Sequence, residues 1–232
     1  MLVMVSAVTA QESPETDLAG IREDLIENRQ KLLDAQEQKL NEVAAKLYQK
    51  KNFLSNLSEL MEHYNVRFND TILYVDIATQ QLHFVKGDEV LKSYPVSTSK
   101  YGSGFQTNSF QTPLGAHRIK EKIGAGEKPG IIFEERKSIK KTATIYTDTT
   151  DVATDLITSR ILWLEGLEDK VNKGTTKDTY ERYIYIHGTH EEGLIGKSVS
   201  TGCVRMKNTD IISLFDEVRE GSLVVIVAKL NN

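Results

Sequence analysis

The stretch YIYIHGTHEEGLIGKSVSTGCVRM, residues 183–206, holds the only cysteine of a 232-residue chain, Cys203, set between Gly202 and Val204. It opens on an alternation, Tyr183-Ile184-Tyr185-Ile186-His187, whose period of two predicts a strand with the isoleucines on one face and Tyr183, Tyr185 and His187 on the other. Gly188 follows at once, so the imidazole is expected where the strand turns into a loop. Sixteen positions later comes Cys203. A helix is expected just after it, with Asn208 or Thr209 as cap, Ile211, Leu214, Phe215 and Val218 on one face, and Gly221 past its end.

Outward from this stretch the chain is rich in short β-prone runs separated by Gly, Asn, Asp and Ser turns: TILYVDI (71–77), QLHFV (81–85), VLKSYPV (90–96), ATIYT (143–147), RILWLE (160–165) and SLVVIVA (222–228). Together they predict a mainly β domain, a sandwich or barrel with few helices, over residues 67–230. Residues 21–65 are different, containing no Gly or Pro and much Glu, Lys, Gln and Leu. Ile26, Leu33, Leu40, Leu47, Leu54 and Met61 recur every seven residues there, with Arg29, Gln36 and Lys50 interrupting the second seam. Residues 11–66 thus read as a helical spacer or coiled-coil-like segment rather than a clean two-stranded coiled coil.

The first ten residues, MLVMVSAVTA, are apolar, far short of the roughly 20 needed to span a bilayer, and end in small residues before a polar run. They are expected to be a signal-peptide remnant, although a basic residue ahead of the apolar stretch is missing. In an oxidising compartment a lone cysteine makes no internal disulfide and needs another purpose. The net charge of −4 offers no basic field for a phosphate backbone, so no nucleic-acid partner is expected.

A catalytic cysteine reacts as thiolate and needs a base or positive field nearby. His187 is the candidate base. Gly202 frees the backbone N–H groups of Gly202 and Cys203 to hold an oxyanion, and Arg205 supplies a permanent cation. Against this stand ordinary alternatives: a buried cysteine acting as a small hydrophobe, a satisfied core histidine and a surface ion pair.

At this point a resemblance becomes specific. His187-Gly188-Thr189 and Ser200-Thr201-Gly202-Cys203-Val204-Arg205-Met206 resemble the catalytic motif of the L,D-transpeptidase family, the YkuD-type domain of bacterial cell-wall enzymes, and the likeness extends over about residues 68–228 through the TPLG turn at 112–115. The resemblance implies that Cys203 attacks a peptidoglycan tetrapeptide stem at the L-centre of its diamino acid and expels D-alanine. The thioester then passes to an amine: another stem, a lipoprotein lysine or a D-amino acid. It implies His187 as base, oriented by the Gly188 carbonyl, with Gly202 in the oxyanion site. Arg205, Tyr185, Ser200 and Thr201 are candidate substrate-binding residues. That chemistry needs no metal or organic cofactor. The apolar start of the chain leads to an expected periplasmic or cell-envelope location, and the helical segment, which lies outside the resemblance, is a candidate contact for an envelope lipoprotein or other partner. Transfer to water, as an L,D-carboxypeptidase, and a non-catalytic peptidoglycan-binding role are the alternatives.

The sequence departs from the family at Thr201, where a histidine is usual, so base work falls on His187 alone; His190 is expected to be a solvated loop side chain. Ser97-Thr98-Ser99-Lys100 and Ser138-Ile139-Lys140-Lys141 both fit S-x-x-K, but without the accompanying motifs of serine peptidases. His187, His190, Glu191 and Cys203 are metal-ligand types at spacings unusual for zinc.

Overall fold

The computed structural model describes residues 14–67, 70–87, 89–174 and 176–228; the signal-peptide remnant expected over residues 1–10 lies outside them. By internal contacts the chain divides into residues 1–53 and 54–232. The first helix, α1 (Pro14–His63), runs through the Gly- and Pro-free segment. Its apolar side chains have two fates. Ile26, Leu33 and Leu40 are exposed, whereas Leu57 and Met61 are buried in the second unit. No helix among the described residues is long and apolar enough to cross a membrane.

The second unit is mainly β. Its strands are β1 (Thr71–Asp76), β2 (Gln81–Lys86), β3 (Glu89–Pro95), β4 (Gly115–Ile123), β5 (Ile131–Glu134), β6 (Lys137–Thr142), β7 (Ile157–Gly166), β8 (Tyr185–Thr189), β9 (Val204–Met206) and β10 (Leu223–Val227). All are hydrogen-bonded into one branched sheet, ordered β3-β2-β1-β10-β4-β7-β5-β6, with β8 joined to β7 and β9 to β8. β1 and β10 pair in parallel near its middle and are almost wholly buried, which is why both read as continuous apolar runs.

The expected strand at 143–147 does not form. Only Tyr146 there makes a bridge, to Glu191. The strand expected from Tyr183 begins at Tyr185, because Tyr183 has a left-handed backbone with φ 56°. The second helix, α2 (Asn208–Glu217), buries Ile211, Leu214 and Phe215 as expected. Neither expected cap is used: Lys207 occupies the cap position without a side-chain bond. Asn208 is instead a buried bracket, its carbonyl accepting from Thr158 and Ser159 and its amide donating to the Thr189 carbonyl and to Glu192.

The period of two in β7, β8 and β9 separates two apolar clusters. Leu162, Leu164, Ile184, Ile186, Val204 and Met206 join α2 in the main core. Ile161, Trp163 and Tyr185 form a smaller cluster against which Cys203 packs. Each fully buried aliphatic side chain contributes about 1.5–3 kcal/mol, so the register of β8 and β9 is strongly fixed. A slip of one residue would send Val204 and Met206 out and Arg205 into the core.

Candidate active site

β8 and β9 run side by side in parallel with His187 opposite Arg205 and Ile186 opposite Val204. Continued back by one residue, this register sets Cys203 beside Tyr185. Cys203, Arg205, Tyr185 and His187 therefore share the sheet face opposite the main core. The Tyr185 N–H donates to Cys203 Sγ at 3.3 Å, and the thiol donates to the Tyr183 carbonyl at 3.5 Å. Gly202 enters at φ +127°, a conformation that L side chains rarely adopt, and a Cβ there would press on Ile184 Cδ1 at 3.3 Å.

Burial, the largest effect, pushes the Cys203 thiol up to about 12; the Asp155 carboxylate pushes the same way, while the Tyr185 N–H, Arg205 and Arg182 oppose them. Cys203 thus rests as a neutral thiol rather than a ready thiolate. His187 is 1% exposed, and its burial lowers its pKa below the ordinary 6.5, against the raising effects of Asp155 and the Gly188 carbonyl. The ring is neutral at pH 7. Its Nδ1 lies 2.8 Å from the Gly188 carbonyl oxygen, which only accepts, so Nδ1 carries the hydrogen and Nε2 keeps the basic lone pair. Gly188 itself must be small. A Cβ would stand 2.6 Å from the Thr158 carbonyl oxygen. Among the described residues no hydrogen bond joins His187 to Cys203, whose thiol instead faces the Tyr183 carbonyl.

Other predicted site residues have different work. Arg205 is not available to a substrate carboxylate: its side chain is 4% exposed, with Nη1 2.8 Å from Glu191 and Nη2 2.7 Å from Asp155. It ties the loop before β7 to β9. Ser200 is fully buried, its hydroxyl donating to the Cys203 carbonyl at 2.6 Å and accepting from the Gly202 N–H at 3.3 Å, so it shapes the turn instead of touching substrate. That second bond also means that the Gly202 N–H is already engaged. The Cys203 N–H makes no hydrogen bond among the described residues and is open to an acceptor.

Tyr185 is 4% exposed and packs edge-on against Trp163, so it is a wall of the small cluster more than a channel lining. Thr201, in the place of the usual histidine, is exposed. His190 is not a solvated side chain: it is 3% exposed, packs against Tyr146, and its Nδ1 has no partner. The S-x-x-K segment at 97–100 is pinned in extended form, with Ser97 donating to the Leu194 carbonyl and Ser99 to that of Phe110.

Sequence reasoning missed three residues. Asp155 pairs with Arg205 and acts electrostatically on both His187 and Cys203. Arg182 donates to the carbonyls of Gly104, Phe105 and Gln111, holding the 104–111 loop whose Phe110 and Gln111 carbonyls border Gly202. Arg136 lies over Trp163 and Tyr183. All three act across long sequence separations, and only the YIY alternation hinted at an aromatic surface for a cation.

The model of the L,D-transpeptidase catalytic domain, YkuD, matches residues 70–226. The chain is 44% identical over 50 residues to YqjB and 51% identical over 41 residues to YkuD, both Bacillus subtilis proteins that carry L,D-transpeptidase names. Those segments cover 22% and 18% of this chain and only 28% and 25% of the relatives. Among solved structures, an L,D-transpeptidase from Mycobacterium smegmatis aligns over 68% of this chain and 59% of its own, with a TM-score of 0.42 and 19% identity. One from Xylanimonas cellulosilytica aligns over 70% and 62%, with a TM-score of 0.41 and 15% identity. With the domain model matched over more than half of its length, around the strand-end histidine and the cysteine that follows it, the chain belongs to the L,D-transpeptidase family.

Proposed function

We propose that Cys203 is the nucleophile of a cysteine L,D-transpeptidase acting on peptidoglycan tetrapeptide stems. One observation carries this reading: the parallel register of β8 and β9 puts Cys203 on the same face as His187, whose Nδ1 is fixed by the Gly188 carbonyl so that Nε2 is free to act as base. Because the thiol rests neutral, attack and proton transfer are coupled. Sγ forms a bond to the carbonyl carbon of the L-centre while His187 Nε2 takes the thiol proton, and the Cys203 N–H donates to the resulting oxyanion. Collapse breaks the C–N bond as His187 returns the proton to the departing D-alanine amine, leaving a thioester. An acceptor amine then attacks, His187 takes its proton, the C–S bond breaks and the thiol is restored.

Thr201 supplies no second base, so one imidazole serves both half-reactions. A neutral histidine below its ordinary pKa suits this, since it accepts a proton readily only as charge develops. The proposal includes export to the cell envelope through residues 1–10, and a partner contact through α1. The test is incubation with purified muropeptides and mass analysis. A 3-3 crosslinked dimer supports transpeptidation, tripeptide alone supports transfer to water, and unchanged tetrapeptide sinks both.

A further inference from the structure

Two guanidinium groups act electrostatically on the Cys203 thiol, and both are already committed. Arg205 is held by two carboxylates, and Arg182 by backbone carbonyls. Arg136 is different. It sits at the tip of the β5–β6 hairpin, where Glu135 and Arg136 both have left-handed backbones, φ 47° and 67°. Such two-residue turns normally use Asn or Gly, and keeping a Glu-Arg pair there costs conformational energy.

The guanidinium carbon lies 4.8 Å from the Trp163 ring centroid and 4.9 Å from that of Tyr183, while Nη1 is 3.5 Å from the Tyr185 hydroxyl. Two aromatic faces thus hold the cation in place. Among the described residues no carboxylate pairs with it, so most of its donors remain open for the two-pronged bonding that suits a carboxylate.

Its location gives those donors a target. Tyr183, over whose ring Arg136 lies, and Tyr185, to whose hydroxyl it donates, are the residues whose backbones hold Cys203 Sγ. Tyr183 repeats the pattern of strain, being a bulky residue at φ 56° with its side chain 49% exposed. An arginine pre-oriented on aromatic rings, in contact with both tyrosines that bond the Cys203 sulfur and without a carboxylate paired to it among the described residues, matches a substrate anion.

We propose that Arg136 recognises a carboxylate of the acyl-donor peptide and so selects free acids over carboxamides. This rests on the thioester chemistry proposed for Cys203. The two carboxylates on the residues that flank the scissile amide qualify by reach: the C-terminal one and that on the side chain of the diamino acid. The experiment compares the free-acid tetrapeptide with two analogues, each amidated at one of these positions, on the wild type, Arg136→Gln and Arg136→Lys.

The wild type should prefer the free acid to one of the amides by at least about ten-fold in kcat/KM. Arg136→Gln should lose about that factor on the free acid, mainly through KM, and match the wild type on the discriminated amide; Arg136→Lys should recover part of the preference. Which amide loses the preference identifies the carboxylate. The same three peptides are titrated calorimetrically into Cys203→Ala with and without Arg136→Gln, so discrimination is read even if no turnover occurs. A wild type that forms no thioester, yet binds the acid more tightly than an amide only when Arg136 is present, would refute the chemistry while keeping the recognition. Unchanged preference in Arg136→Gln, in both turnover and binding, would overturn the recognition itself.

Discussion

Arg205→Met is the substitution with the largest effect on stability that the site predicts. Methionine keeps much of the stem's volume but removes a cation that is 4% exposed and bonded to a Glu191 carboxylate that is 1% exposed. Asp155, at 26% side-chain exposure, retains some solvent and suffers less. After the change Glu191 keeps the Val152 N–H at 2.7 Å but no counter-charge. Removing one partner of a buried pair costs about 3–5 kcal/mol, because the stranded charge stays desolvated. At about 2–4 °C per kcal/mol for a domain of this size, the melting temperature should fall by roughly 6–20 °C. The assay is thermal unfolding at pH 7 followed by near-ultraviolet circular dichroism. Arg205→Met/Glu191→Gln removes the stranded charge as well and should regain at least half of the loss, giving a clear coupling energy in the double-variant cycle. A single variant melting within about 2 °C of the wild type, or a double variant whose loss is the sum of the two, would refute the buried-pair reasoning.

Three further outcomes follow from the same geometry. His117 is fully buried, and burial lowers its pKa from 6.5 to about 4; a depressed value gives stability that is present above pH 6.5 and lost as pH falls toward 4. That loss is about 3 kcal/mol from this group at about 1.4 kcal/mol per unit, and urea midpoints between pH 7 and pH 4 should fall less in His117→Gln. With the Cys203 thiol pushed up to about 12, iodoacetamide labelling of the free protein should be slow at pH 7 and climb about ten-fold per pH unit up to pH 10; a rate that levels off below pH 8 would mean a preformed thiolate. Gly202→Ala should cost about 1–3 kcal/mol through its +127° backbone and lower the acylation rate more than ten-fold, readable by chemical denaturation and single-turnover kinetics.

The part of the site that the sequence displays is the part built by local periodicity. The alternation at 183–187 placed Tyr185 and His187 together, and a glycine before Cys203 marked an unusual backbone. What it hid depends on distant pairing. Arg205 and its partners are 50 and 14 residues apart in sequence, so a substrate-facing arginine and a buried ion pair look alike until the loop closes. His190 reads as loop because its neighbours are polar, yet the Tyr146 segment packs over it and the backbone bond from Tyr146 N–H to its carbonyl holds that cover in place. The strands KSIKKT and GAHRIKEKI escape detection for a related reason. β6 is an edge strand, where exposed lysines guard against pairing with other chains, and their charge masks the β pattern. The run ATIYT has the composition of a strand but no neighbouring strand to pair along its length. The mainly β class with few helices was nonetheless legible, because the buried β1, β7, β8 and β10 carry it in their apolar runs.

The most direct test of the central claim is the intact mass of the protein mixed with a stem tetrapeptide and quenched within the first turnovers. The account predicts an adduct equal to the tetrapeptide less D-alanine, mapped by peptide digestion to Cys203 and absent from a folded Cys203→Ala variant. Turnover that proceeds with Cys203 unmodified, or that survives in Cys203→Ala, would contradict it.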